Sequence, residues 1–398
     1  MISIDNYLFI TITFFLIIWF SLTIKFFGLK SVYFLYFFLN LTIFYGPISY
    51  YQLGFVAYSN AMSNESLLEF AYISIFIFVS NIIVLKTIYL KQSFIFSNII
   101  GNMTFEKINN KKTITTFFIV SYSLIILYII IFQKHFPLIK LLTTGEIGER
   151  LDSSGDIPFY ITFSAISMIF IPSGFFYFSN IIKNKFLIII ILLFCILTLS
   201  AGGNKGIVSY FLIFYFLLNS NKINPLKFLL LILVLFFIYG ILKGIDNLSD
   251  ETINYLIDSP FRRLFVSQGS GYIARIEMIN NNSFHQGLVI KKEVFSSIYN
   301  TKYNSGTSPT HFTGDLLVKY GYIIMGIIYV IFSIVFTRLL FTIDMIKSKK
   351  ENIFILWSFF LLSFLFTHSE FETANIIRII LMIINFYFIF NISRIKIK

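Results

Sequence analysis

Residues 113–132 read TITTFFIVSYSLIILYIIIF, a run without one charged side chain, entered directly from Lys111 and Lys112. A helix needs about 20 such residues to cross the roughly 30 Å hydrocarbon layer of a bilayer. Cations held at one end are the signature of a segment whose insertion left that end in the cytoplasm. The pattern recurs along the chain. Apolar runs of spanning length lie at about 7–27, 31–51, 66–90 and 157–182. Others follow at about 186–200, 206–219, 227–243, 315–342, 352–367 and 373–393. The first has Asp5 rather than a cationic leader and no small-residue cleavage site, so it is expected to stay as an anchor.

Composition agrees. Only 13% of the residues are charged, against about a quarter in soluble domains, which disfavours an aqueous globular enzyme. With 57% of 398 residues hydrophobic, about 11 spans use nearly the whole apolar stock. The expected fold is an all-α polytopic membrane protein. Its divisions are residues 1–243 with helices one to eight, a large loop at 244–314, and residues 315–398 with the last three helices and a tail. The net charge of +12 admits either a nucleic-acid partner or a topology signal. Position decides. Lys25, Lys30, Lys86, Lys91, Lys107, Lys111, Lys112, Lys183 and Lys185 fall in odd-numbered loops, as do Lys222, Lys227, Arg338, Lys347, Lys349 and Lys350. Arg394, Lys396 and Lys398 end the chain, whereas the short even loops hold only Lys134, Lys140, Arg150 and Lys205. Odd loops are therefore expected inside and even loops outside, which removes most of the case for nucleic acid.

Two external loops are large. The first, at 133–156, contains the acidic stretch GEIGERLD at 145–152. The second, at 244–314, is too long to be structureless, and clusters such as Tyr255 to Ile257 and Val289, Val294 and Phe295 suggest short amphipathic helices at the interface. Cys195 is the one cysteine, which excludes an intramolecular disulfide framework and a cysteine zinc site. His135, His285, His311 and His368 all fall in external positions, which chance readily allows, so their placement is not evidence for a metal site. A P-loop is missing: residues 202–206 (GGNKG) lack the required spacing and lie on the side away from ATP. The span centres carry almost no charge, which argues against proton-coupled transport.

What remains is a set of cations at outer helix ends and in outer loops: Lys205, Arg262, Arg263, Arg275 and Arg378. Arg378 lies six residues past Glu372, about 9 Å below the outer mouth, where it either snorkels, pairs with Glu370 or Glu372, or binds an anion. The Lys205 turn is either a hairpin requiring glycine or an anion-binding helix mouth. His311 sits in residues 308–315 (SPTHFTGD), where the chain re-enters the membrane. His311 or Asp315 there either accepts a proton from an attacking hydroxyl or caps the ninth span.

Three segments together resemble the Wzy-type polymerases of bacterial O-antigen and capsule repeat units. Residues 199–206 (LSAGGNKG) are similar to the family's turn of small residues followed by a cation and glycine, with Lys205 where arginine is usual. Residues 308–315, running to Tyr320 and Gly321, are similar to the end of the family's large periplasmic loop, and related O-antigen ligases carry a histidine in a place comparable to His311. Arg262, Arg263 and Arg275 stand as counterparts of functional loop arginines. The resemblance implies a GT-C-like, metal- and cofactor-independent glycosyltransferase of the bacterial inner membrane, with its site facing the periplasm. The substrate implied is an undecaprenyl-pyrophosphate-linked oligosaccharide, and the implied partners are membrane lipid, a chain-length regulator and a flippase. Lys205, Arg262 or Arg263, Arg275 and Arg378 would hold pyrophosphate and glycan, while His311 or Asp315 activates the acceptor hydroxyl. An O-antigen ligase shares donor and fold; a lipid-linked oligosaccharide flippase would need a charged central cavity; a sugar O-acyltransferase would need catalytic polar residues near the N-terminus; a scaffold would not need Arg378.

Overall fold

In hydrocarbon a backbone N–H or C=O has no water to bond, so a spanning segment must close its hydrogen bonds within itself, and the helix does this. The computed structural model describes residues 5–29, 31–53, 63–91, 111–136, 139, 157–201, 205–219, 267–282, 290–299, 310–346, 357, 360, 361 and 380. Among them the regular elements are helices. They are α1 (Asn6–Phe27), α2 (Val32–Asn40), a π-helical turn (Leu41–Tyr45), α3 (Gly46–Gln52), α4 (Asn64–Lys91), α5 (Lys111–Ile131), α6 (Tyr160–Ile181), α7 (Lys185–Ala201) and α8 (Lys205–Asn219). After these come α9 (Ser267–Asn280), α10 (Ile290–Tyr299) and α11 (Phe312–Ile346). Six described stretches are long and apolar enough to cross a membrane: α1, α2 to α3, most of α4, α5, α6 and the apolar part of α11. The expected spans at 227–243, 352–367 and 373–393 lie, apart from single positions, outside the described residues, as does the acidic stretch at 145–152.

The surface is inverted relative to a water-soluble protein. On α5, Ile119, Leu124 and Ile131 are 53%, 61% and 62% exposed, and α1 turns Ile10, Phe14 and Ile17 outward. Ser74, Asn81, Arg275 and Ser333 are buried instead. Apolar outside and hydrogen-bonded polar inside is the arrangement lipid selects, and the chain is a multi-pass membrane protein.

The chain forms two compact units, 1–95 with 220–341 and 364–371, and 96–219 with 342–363 and 372–398. In the first, α4 packs along α1 and beneath α9. The helix ends that the lysine and arginine pattern sorts together do meet. At one end Gln52 donates to Asn6 at 3.0 Å and Ser63 donates to Glu277, and at the other Phe27 stacks on Tyr33 and meets Phe341 edge-on. In mid-span, Asn81 on α4 donates to the Tyr329 hydroxyl at 2.6 Å and accepts from Ser333 at 2.8 Å, tying α4 to α11 where no water competes.

α11 departs from expectation. The run at 315–342 has the length and hydropathy of one crossing, but Gly321 has φ 75° and ψ 179°, and the helix breaks there. Seventeen residues of straight helix would separate Phe312 from Tyr329 by about 25 Å. Their rings are instead 6.3 Å apart, and Phe312 meets Phe332 at 5.0 Å. Residues 312–320 therefore fold back along the arm that begins at Tyr322. Hydropathy is blind to this because it measures how apolar a run is and not the direction in which the chain travels. Of the clusters expected to form helices in the 244–314 loop, Val294 and Phe295 lie on α10, while Tyr255 to Ile257 and Val289 lie outside the described residues. α9 was not expected, and it meets α10 through apolar sides, Val294 and Ile298 packing on Ala274 and Met278. That side is closed by protein and not by the membrane interface.

In the second unit Pro172 interrupts α6. Its missing N–H leaves the Met168 carbonyl without a helical donor. Trp357 Nε1 fills the vacancy at 2.8 Å, while the Tyr122 hydroxyl and the Cys195 thiol point at the neighbouring Ile171 carbonyl. Phe176, Phe211, Phe214 and Phe360 wall in the Trp357 indole.

Two predictions follow from these joints. Trp357→Phe leaves a buried carbonyl unpaired and should cost about 1–3 kcal/mol in detergent unfolding, and Pro172→Ala, which restores the helical donor, should recover most of the loss; equal losses with and without Pro172 would contradict the pairing. Gly321→Ala meets no neighbour, since nothing lies within 4 Å of the new Cβ, so its predicted cost of about 1–3 kcal/mol comes from backbone strain alone. An unchanged melting temperature would show that the fold-back does not need that conformation.

Candidate functional site

Three of the residues singled out in the sequence come together in the first unit. Arg275 is on α9, and His311 and Asp315 flank the start of α11. Arg275 Nε donates to Asp315 Oδ1 at 3.0 Å, with the arginine 0% and the aspartate 3% exposed. A charge taken from water this completely is tolerated only when paired. The guanidinium has a second anchor one turn back on its own helix, where Nη1 donates to the Gly271 carbonyl at 2.8 Å.

Proline and glycine chemistry place α9 so deep. Pro47 cannot donate to the Ile43 carbonyl, and the chain ahead of it widens into the π-helical turn, with the Gly46 N–H closing on Leu41. Gly269 backs onto this spot: a Cβ there would overlap the Ile43 carbonyl and Pro47 Cγ. The absence of a side chain lets α9 seat, one and a half turns later, the Arg275 guanidinium within reach of α11. The widened turn also projects Phe44, which meets His311 edge-on at 5.1 Å and Tyr272 at 5.7 Å.

His311 is buried and closes the first turn of α11. Its Nδ1 lies 2.7 Å from Thr313 Oγ1 and accepts from the Thr313 N–H at 3.4 Å. A backbone N–H can only donate, so neutral His311 carries its proton on Nε2 here. The ring is also packed beside Phe312 and Tyr329. Counting from Tyr322, Tyr329 is about 10 Å along its arm. The cluster therefore lies below the helix ends and not at the rim. Burial pushes the Tyr272 phenol well above its ordinary range, so it stays a neutral hydroxyl beside the ion pair.

A second cluster holds α9 in place. Glu277 accepts from the N–H and hydroxyl of Ser63 and from the hydroxyl of Ser66, at the start of α4, and from Asn281. Glu69, on the next turn of α4, accepts from Asn280 at 3.0 Å and from the Tyr322 hydroxyl. One carboxylate thus pins α9 to α4, and the other pins both to the turn of α11.

The remaining nominated residues are placed differently. Lys205 opens α8, in the second unit. Arg262, Arg263 and Arg378 lie outside the described residues. Among the described residues no three His, Cys, Asp or Glu side chains gather as a metal site. A cavity of about 10 Å³, lined by Ser164, Ser167 and Thr198 with Tyr160 and Phe163, has room for one water and not for a sugar. Sequence reasoning did not single out Phe44, Tyr272, Thr313 or Glu277. The available signals were the proline at 47, which widens a span, and the small residues at 269–271, which allow close approach. Comparison of the chain with family models, curated proteins and solved structures finds no match.

The Glu277 latch has a predicted pH dependence. Burial opposes ionisation, but the hydrogen bonds from Ser63, Ser66 and Asn281 outweigh it and hold this carboxyl below its ordinary value of 4.5. A depressed carboxylate stabilises the fold above its unfolded pKa and loses that contribution as pH falls through the folded one. Hydrogen exchange in α9 should stay slow from neutral pH down to the ordinary carboxylate range and quicken only below it. Glu277→Gln should quicken it at pH 7 and flatten the acid response; an unchanged α9 in that variant would contradict the latch.

Proposed function

We propose that the protein polymerises undecaprenyl-pyrophosphate-linked oligosaccharide repeat units at the outer face of the cytoplasmic membrane of a bacterium. The observation that supports this most is the buried pairing of a guanidinium and a carboxylate from two sequence segments, with a buried imidazole one turn ahead of the carboxylate, on one end of a membrane-embedded unit. The donor's anomeric carbon already bears a good leaving group, the lipid pyrophosphate. The protein must therefore neutralise charge developing on that group and accept one proton from the acceptor hydroxyl. Arg275 suits the first task through its planar, always-charged fork. Asp315 suits the second. His311, protonated on Nε2, suits donation to an anionic oxygen. Lys205, Arg262, Arg263 and Arg378 are proposed as further contacts to pyrophosphate and glycan. In the reaction the acceptor oxygen bonds the anomeric carbon, its proton passes to Asp315, and the carbon–oxygen bond to pyrophosphate breaks with its electron pair. No nucleotide or metal is required.

An O-antigen ligase would use the same donor chemistry and differs in acceptor. Deleting the gene separates the two. A polymerase predicts single repeat units on the surface acceptor; polymer retained on the lipid carrier points to a ligase, and loss of both to export. His311→Ala and Asp315→Ala should each retain membrane insertion and abolish long chains. Normal chain lengths in both would overturn the assignment.

A further inference from the structure

The ion pair that brings the site together also blocks it. Asp315, bound to a guanidinium and shut from water, cannot take a proton from a sugar hydroxyl, and Arg275, bound to a carboxylate, cannot hold a phosphate. We infer that the Arg275–Asp315 contact is a resting pair that an incoming pyrophosphate exchanges: the substrate's phosphate takes Arg275, and Asp315 is released as the proton acceptor. This rests on the proposed reaction and assigns it an order, donor before base.

Three observations make the exchange mechanically available. First, Arg275 does not depend on Asp315 for its position, because Nη1 is anchored to the Gly271 carbonyl of its own helix. Second, α9 is pinned to α4 through Glu277 with Ser63 and Ser66, and through Asn280 with Glu69. The arginine therefore stays when its partner leaves. Third, Asp315 stands in the first turn of the short arm of α11, whose residues 312–317 are buried and whose last residues, Lys319 and Tyr320, are exposed before the break at Gly321. The exchange therefore asks the Asp315 side chain to leave the fork while the arm keeps its packing on Tyr329 and Phe332. The two partners also differ in what they offer the fork: Asp315 brings a single carboxylate, by way of the Nε to Oδ1 bond, whereas a pyrophosphate brings several anionic oxygens. In the step that follows exchange, the acceptor hydroxyl gives its proton to the freed carboxylate as the new carbon–oxygen bond forms and the pyrophosphate departs with the electron pair of the old one. Premature deprotonation, and hydrolysis of the donor by water, are suppressed because the base does not exist until the donor is bound.

Farnesyl pyrophosphate binding to the full chain in detergent tests this, with wild type, Asp315→Asn and Arg275→Gln compared by calorimetry and by thermal unfolding. Removing the competing anion should tighten binding by about tenfold or more in Asp315→Asn, and Arg275→Gln should weaken it by about tenfold or more. Asp315→Asn should melt below wild type without ligand, because its arginine is buried unpaired, and farnesyl pyrophosphate should raise its melting temperature by more than it raises that of wild type. Should the variant fold only when purified with farnesyl pyrophosphate, that rescue supports the exchange; failure to recover it with the ligand overturns it. Equal or weaker binding by Asp315→Asn, or undiminished binding by Arg275→Gln, also overturns it. The outcome is separable from the polymerase proposal. Unpolymerised glycan in the deletion strain with no tightening in Asp315→Asn removes the exchange alone, and the tightening with normal polymer in the deletion strain removes the polymerase alone.

Discussion

A guanidinium and a carboxylate closed off from water are tolerated only when paired, and the end of the first unit is built around that constraint. Arg275 comes from a helix of the long loop and Asp315 from the fold-back of α11. Their contact holds two segments that hydropathy alone would leave separate. The rest of the neighbourhood serves it. Pro47 widens the second span, Gly269 lets α9 press into the widened turn, and Glu277 fixes α9 to the start of α4. Buried pairs of this kind contribute little net stability compared with apolar residues of equal volume, but leaving either charge alone is costly. The pair therefore specifies which segments meet more than it strengthens the fold.

The same rule operates in the second unit without charge. Pro172 removes a donor from α6, and Trp357 supplies one from a distant part of the chain. In both units a proline in a span creates an acceptor or a widened turn that a specific neighbour must answer. Helix breakers inside the bilayer thus act as connectors, since an unsatisfied carbonyl there selects its partner.

Much of this was legible in the sequence, for a physical reason. Lipid imposes a one-dimensional test, an apolar run of sufficient length, and α1 to α8 begin and end within a few residues of the runs read from hydropathy. His311 and Asp315 stood out because polar groups at a membrane re-entry are few. Arg275 stood out as a loop cation, but its pairing with Asp315 is a tertiary fact across 40 positions that no local pattern encodes. The fold-back at Gly321 was missed because hydropathy gives no direction, although a glycine between two tyrosines inside an apolar run marked the place. Asn81 and Tyr329 were overlooked for the opposite reason: each is a lone neutral polar group mid-span, and only the structure shows that they satisfy each other.

The central claim is that Arg275 and Asp315 act as one unit, and a double-mutant cycle measures it most directly. Thermal unfolding of the full chain in detergent would be compared for Arg275→Met, Asp315→Leu and the two combined. Each single change should cost about 3–5 kcal/mol by stranding the other charge, and the combination should return close to wild type. Additive losses, with the double variant the least stable of the set, would contradict the account.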